Sequence, residues 1–170
     1  GYPWFYRPEM LQRDFFPWLH NPAARIDLFD EALVGREDAL EFLRQSYKDS
    51  LAGCPVVEGE SESMRTSRLA THLSTGLFMT NLLSRKDRMS MAVSLNARMP
   101  FCDHRLVEYA WNIPFEMKHY RNQEKGLLRE ALRGILPEQV AFRKKSPFPK
   151  TYDPEYERIV KGWLTEIIND

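Results

Sequence analysis

An all-helical domain is the fold class this sequence predicts. Apolar residues recur at helical spacing in several windows, as in Leu40, Leu43, Tyr47 and Leu51. No window alternates apolar with polar residues as a half-buried strand would. Helix-start signals recur too: Asn21-Pro22 and Asp153-Pro154 each set a capping residue before a proline that suits the first helical position.

Taken in order, the chain opens on Gly1-Tyr2-Pro3-Trp4-Phe5-Tyr6. Aromatics there make a poor solvated terminus and are expected to bury against something upstream, as in the middle of a larger protein. Pro8, Pro17 and Pro22 then punctuate the chain, so short helices are expected over Glu9–Phe16 and Pro22–Leu33. A longer helix follows from Glu37 to Ala52 and ends at Gly53-Cys54-Pro55. Residues 56–62 are acidic and contain Gly59, which reads as a surface loop. The next helix is expected from Ser63 to Leu83, with Leu69, Leu73 and Leu77 stepping by four beside Phe78 and Leu82. Gly76 would let another helix approach closely.

That helix leads into Arg85–Arg105, the stretch around which the chain is organised. It mixes Arg85, Lys86, Asp87, Arg88 and Arg98 with Met89, Met91, Val93, Leu95, Met99 and Phe101. The apolar residues want burial, and the charges resist it unless paired. Such a stretch either lines a charged cleft or forms an ion-pair cluster with Asp87 and Asp103. Pro100 breaks it, and Asp103 is placed to cap a helix running to Asn112. Leu106 with Ala110 and Val107 with Trp111 form that helix's inner stripe, and Pro114 stops it. A helix over Gln123–Leu136 carries two apolar rows, so deep packing is expected. Phe142–Pro154 holds three prolines and four basic residues, which excludes a regular helix or central strand. The last helix starts at Pro154 behind Asp153, with Ile159, Trp163 and Ile167 beside Val160, Leu164 and Ile168.

Composition excludes several function classes. The 170 residues suit one domain with a real core. Charged residues are 28% with zero net charge, so no basic footprint points to nucleic acid. No apolar run approaches membrane-spanning length. Cys54 and Cys102 form neither a metal motif nor a disulfide framework, which fits a reducing cytoplasm. The histidines show no ligand spacing, and neither a nucleophile elbow nor a glycine-rich phosphate loop is present. Three basic groups remain: Arg85, Lys86, Arg88 and Arg98; Arg121 and Lys125; and Arg143, Lys144, Lys145 and Lys150. Lys125 falls at an expected helix start, where free N–H groups favour an anion such as phosphate. Glu124 could neutralise it instead. The third group is either a solvated loop or one held in shape by its prolines to close over a site.

The run LLSRKDRMSMAVSLNARMPFCDHRLVEYAW resembles the synthetase domain of glutamine-dependent asparagine synthetases, whose pattern is close to R-x-D-R-x-S-M-A-x-x-x-E-x-R-x-P-F-L-D-H. Gln123-Glu124-Lys125-Gly126-Leu127-Leu128-Arg129 looks like the family's E-K-x-x-L-R element. Leu136-Pro137 with Arg143-Lys144-Lys145-Ser146-Pro147 looks like its L-P…R-x-K region. Gly1-Tyr2 looks like the end of its G-E-G-S-D-E-x-F-G-G-Y motif. The resemblance covers residues 1–6 and 70–155, while 7–62 are less diagnostic.

The resemblance implies that the chain is the helical C-terminal part of an ATP-pyrophosphatase-type (adenine nucleotide alpha hydrolase-like) α/β synthetase domain. It implies an N-terminal glutaminase domain that releases ammonia, and ATP with magnesium, bound mostly upstream, that adenylates aspartate. Lys125 is then the catalytic lysine that contacts the ATP phosphates and departing pyrophosphate. Lys86 and Arg88 are further ATP-binding candidates, with Asp87 and Arg88 shaping the site; Arg98 and Asp103 are structural. Partners would be aspartate, ATP, glutamine or ammonia, the glutaminase domain and a second copy in a homodimer, in the cytoplasm, without nucleic acid or membrane. Asn96 stands where the pattern has Glu, so a carboxylate role there does not carry over. The S-G-G-x-D-S loop, the acidic motif and the N-terminal cysteine are absent, so this chain alone is expected to be inactive. Other readings are an amidotransferase for another carboxylate, or a non-catalytic helical interaction module.

Overall fold

The computed structural model describes residues 7–144 and 153–169. Among these, helices and turns are the regular structure, with an isolated bridge between Arg133 and Leu136 and no strand. The expected class is thus the observed one. Helices are α1 Pro22–Ile26, α2 Arg36–Ala52, α3 Glu62–Leu73, α4 Met79–Met91, α5 His104–Trp111, α6 Phe115–Lys118, α7 Gly126–Ala131, α8 Glu138–Ala141 and α9 Pro154–Asn169. The chain divides into two compact units, Gly1–Leu128 and Arg129–Asp170.

The core of the first unit forms where α2 and α3 cross a 3-10 turn at Pro8–Gln12. Met10, Leu11, Tyr47, Ala70 and Leu73 are buried together. Leu40 and Tyr47 of the expected α2 stripe are buried, and Leu51 packs on the cluster. The Tyr47 hydroxyl donates to the Leu11 carbonyl at 2.9 Å, which satisfies an otherwise stranded buried acceptor. Burial pushes the Tyr47 phenol up to about 12. Phe16 bridges this pair to the aromatics beyond, stacked on Trp18 at 5.1 Å and edge-on to Tyr47 at 5.0 Å; Trp18 meets Phe78 at 5.1 Å.

Helices α3 and α4 form one rod joined by a π turn at Ser74–Phe78. The rod extends to Met91, eight residues past the expected end at Leu83, because nothing in SRKDRMSM breaks a helix. The wider π turn shifts the register by one residue. Leu73 is fully buried, but Leu77, the next member of the expected ladder, is exposed, and Phe78 packs inward instead. A Cβ on Gly76 would meet nothing within 4 Å, so the expected close helix approach does not occur there.

Several boundaries contract. Glu9–Phe16 is only the 3-10 turn, because Pro17 removes a donor and disfavours helical backbone at Phe16. Asn21 caps α1 by accepting from the Ala24 N–H at 3.2 Å, but α1 ends at Ile26, and Asp30 instead holds a turn through the Ala32 N–H at 2.9 Å. The helix expected over Gln123–Leu136 is only α7, and its apolar rows are not deeply packed: Leu128, Ile135 and Leu136 are exposed. Gly134, with φ of 80°, turns the backbone left-handed where the expected helix would continue.

In the second unit, Arg129 forks onto two carbonyls, Ala141 at 2.5 Å and Arg143 at 3.2 Å. Arg133 pairs with Glu130 at 2.9 Å and lies over the Phe142 ring at 4.9 Å. Helix α9 begins at Pro154 behind Asp153, which accepts from the Glu155 N–H at 3.0 Å. Its apolar residues Trp163, Leu164, Ile167 and Ile168 are exposed. The aromatic start at 1–6, and the basic residues Lys145 and Lys150, lie outside the described residues.

Candidate functional site

The Arg85–Arg105 stretch divides into a helical arm, a turn and a second helix start. Arg85, Lys86, Asp87 and Arg88 sit in the last turns of α4, and all are exposed. Ser90 is buried, its hydroxyl donating to the Lys86 carbonyl at 2.8 Å. The Ser90 carbonyl accepts from the Val93 N–H at 3.1 Å and the Leu95 N–H at 2.9 Å. Ser94 supplies the sharp turn, with φ of 59°. A short backbone-anchored stop thus ends the cationic arm.

The chain then leads to Asp103, which caps α5 by accepting from the Arg105 N–H at 2.9 Å. Asp103 also grips the Arg105 side chain, at 3.0 Å to Nε and 2.8 Å to Nη2. The Arg105 guanidinium and N–H hold the Asp103 carboxyl below its ordinary value. The expected ion-pair cluster is therefore not built. Asp103 takes Arg105 rather than Arg98, because Arg105 is two residues away on the same capped turn. Among the described residues, Arg85, Lys86, Arg88 and Arg98 form no ion pair. Nor does the structure bury the stretch's apolar half: Met89 is 69% exposed and Phe101 70%, with Met91, Val93 and Leu95 also exposed.

Lys125 sits one residue before α7, not inside a longer helix. It is exposed, with φ of 59°. Arg121 and Asn122 also have positive φ, each 56°. The cause is a tight return of the chain: a Cβ on Gly126 would collide with the Tyr120 backbone, only 2.7 Å from its nitrogen. Glycine is the residue this crossing tolerates. Six-residue α7 offers a weaker dipole than the expected fourteen-residue helix would. Lys125 forms no ion pair among the described residues. Arg121 turns back over the Tyr120 ring at 5.2 Å.

Sequence reasoning missed two features. Arg129, the arginine of the E-K-x-x-L-R element, anchors the backbone that leads into the basic Arg143-Lys144 segment. Its invitation to long-range bonding was invisible because both acceptors are carbonyls, which every residue carries. The second feature is a cavity of about 270 Å³ in the first unit, between α3, the 55–60 loop and the α5–α6 corner. None of Lys86, Arg88 and Lys125 lines it. Glu60 does, with a side chain only 7% exposed, so the acidic segment is not wholly a surface loop. Arg68 draws it inward through an ion pair, with Arg65 at 3.7 Å. Cys54 and Cys102 are free thiols, and no three His, Cys, Asp or Glu among the described residues stand close enough to hold a metal. No described helix is long and apolar enough to cross a membrane.

Residues 1–170 match the family described as Asparagine synthase. The chain is 47% identical over 167 residues to "Asparagine synthetase [glutamine-hydrolyzing] 3" of Bacillus subtilis, covering 98% of this chain and 27% of that protein. It is 37% identical over 122 residues to the Homo sapiens asparagine synthetase [glutamine-hydrolyzing], with 70% of this chain and 20% of that protein aligned. The Bos taurus enzyme of the same name is 36% identical over 147 residues, 83% of this chain and 25% of that protein. The chain thus spans about a quarter of the length of these curated relatives. The match also takes in residues 7–62, which carry little of the motif signal. Signature arm, capped turn and lysine-glycine crossing therefore sit in a chain that belongs to the asparagine synthase family.

Proposed function

We propose that this chain is the C-terminal part of the synthetase domain of a glutamine-dependent asparagine synthetase, and that its exposed cations serve the ATP phosphates. The whole enzyme would convert ATP, aspartate and glutamine to asparagine, AMP, pyrophosphate and glutamate, through β-aspartyl-AMP. Its glutaminase domain and ATP loop would lie in the part of the relatives that this chain does not cover.

One observation carries the reading. Lys86, Arg88 and Lys125 stand exposed without ion-pair partners among the described residues. Outside the signature segments Arg36, Arg44, Arg133 and Arg158 hold carboxylates, and within the run Arg105 holds Asp103. Cations left unpaired in signature segments suit a polyanionic substrate, whose phosphates would relieve their repulsion.

The chemistry explains the need. Aspartate's carboxylate is a poor electrophile, and an acyl-phosphate anhydride supplies a good leaving group. As that bond forms, charge grows on the departing pyrophosphate, and a cation already in place stabilises it. Lys125 offers a point charge with three donors for those oxygens. Lys86 and Arg88 add positive potential, Arg88 with a fork suited to phosphate. The described residues hold no three-ligand metal group, so magnesium is assigned to no residue of this chain.

Lys125→Ala in the full-length enzyme should lower aspartate-dependent pyrophosphate release about 10²- to 10³-fold, the usual loss for one donor to a developing oxyanion. Glutaminase activity should persist. Equal loss of both would show Lys125 to be a folding residue. The 170-residue chain alone should release no pyrophosphate with ATP and aspartate, and turnover would overturn that part of the reading. Offering the full-length enzyme other carboxylic acids tests the choice of aspartate.

A further inference from the structure

The cavity beside α3 is lined by none of Lys86, Arg88 and Lys125, and its walls have their own chemistry. Trp111, Phe115 and Met64 supply apolar surface. Charge enters at opposed groups. Glu60 presents Oε1, buried and without a hydrogen-bond donor, with Arg65 Nη1 standing 3.7 Å away, while its other oxygen pairs with Arg68 Nη2. Glu60 and Arg68 balance one another through their ion pair, and the second Arg68 nitrogen, Nη1, donates to the Pro55 carbonyl at 2.6 Å. Lys118 also lines the cavity, half-buried and with no ion pair among the described residues. Burial holds its ammonium below the ordinary lysine value.

A buried acceptor without a donor and a desolvated cation without an anion are each unfavourable when empty. One ligand can satisfy both if it carries an ammonium and a carboxylate on a small frame. The apolar wall then asks for an apolar side chain. About 270 Å³ falls just below the usual range of small-molecule sites, about 300 to 1,000 Å³, and is small for a nucleotide. We propose that this cavity binds a free α-amino acid with an apolar side chain, its ammonium on Glu60 Oε1, its carboxylate toward Lys118, and its side chain against Trp111, Phe115 and Met64. The site is distinct from the phosphate cations proposed above and does not depend on them.

Isothermal titration of the intact protein with L-leucine and with L-phenylalanine tests this. At least one should bind saturably, and its methyl ester and its N-acetyl derivative should each bind about tenfold weaker or worse, since each loses a hydrogen bond to a charged group. Lys118→Met should weaken the amino acid by a similar factor while leaving the ester unaffected. The ester and N-acetyl arms use the unsubstituted protein, so they stand even if the variant fails to fold. No binding of either amino acid, or equal binding of the ester, overturns the proposal. Loss of Lys125 should leave this binding unchanged, which separates its failure from that of the phosphate site.

Discussion

The two halves of the α3–α4 rod have similar apolar content and opposite fates. Before the π turn, Ala70 and Leu73 are sealed against Met10, Leu11 and Tyr47. After it, Met89 and Met91 face solvent, and the cations just before them, Arg85, Lys86 and Arg88, carry no ion-pair partners among the described residues. The first half holds the unit together. The second is displayed by it. Apolar side chains alone therefore do not mark a core; what distinguishes the halves is whether another element crosses the same face.

Leu73→Ala is the strongest way to break this contrast. Removing a fully buried leucine should cost about 2–5 kcal/mol in urea unfolding, by lost transfer energy and a residual cavity. A loss below about 1 kcal/mol would mean the first half is no more a core than the second. Tyr47→Phe sharpens the comparison at smaller cost. It leaves the Leu11 carbonyl buried without its donor, worth about 1–3 kcal/mol at neutral pH. Its pH dependence has a definite sign. Burial raises the Tyr47 phenol from 10.0 to about 12, so the fold holds the neutral form. The stability this contributes is whole below the unfolded value and drains as pH rises through 10.0 toward 12. Unfolding curves across that window should fall more steeply for the parent than for Tyr47→Phe. The smallest effect belongs to the displayed half. Met89→Ala and Arg88→Ala should each change stability by under about 0.5 kcal/mol, as surface changes do. Arg88→Ala should nevertheless raise the full-length enzyme's KM for ATP. A stability loss of about 2 kcal/mol there would place Arg88 in the fold rather than at a substrate.

The sequence was most legible where structure is local. Asn21, Asp103 and Asp153 each cap the helix expected of them. Each of those bonds spans two or three residues, so the residue type and its spacing carry the whole signal. The Leu40–Leu51 stripe was legible for the same reason. The signature run was legible as a family mark, but the partners of its charges were not. Arg98 and Asp103 lie in one motif, yet Asp103 binds Arg105, because the capped turn brings that side chain back onto the carboxylate. The helix over 123–136 failed because its pattern is amphipathic throughout, whereas the backbone is governed by the Tyr120–Gly126 crossing and by Gly134. Glu60 failed because acidic loop composition says nothing of an arginine two turns into the next helix.

By itself, then, the sequence determined the helical class, the helix starts and the family, since caps, periodicity and motif spacing are properties of neighbours along the chain. Tertiary structure decided which apolar residues are core and which are displayed, that Phe78 rather than Leu77 turns inward, and that Glu60 is buried beside a cavity. Burial and pairing depend on what arrives from elsewhere in the chain, and no local pattern encodes that arrival.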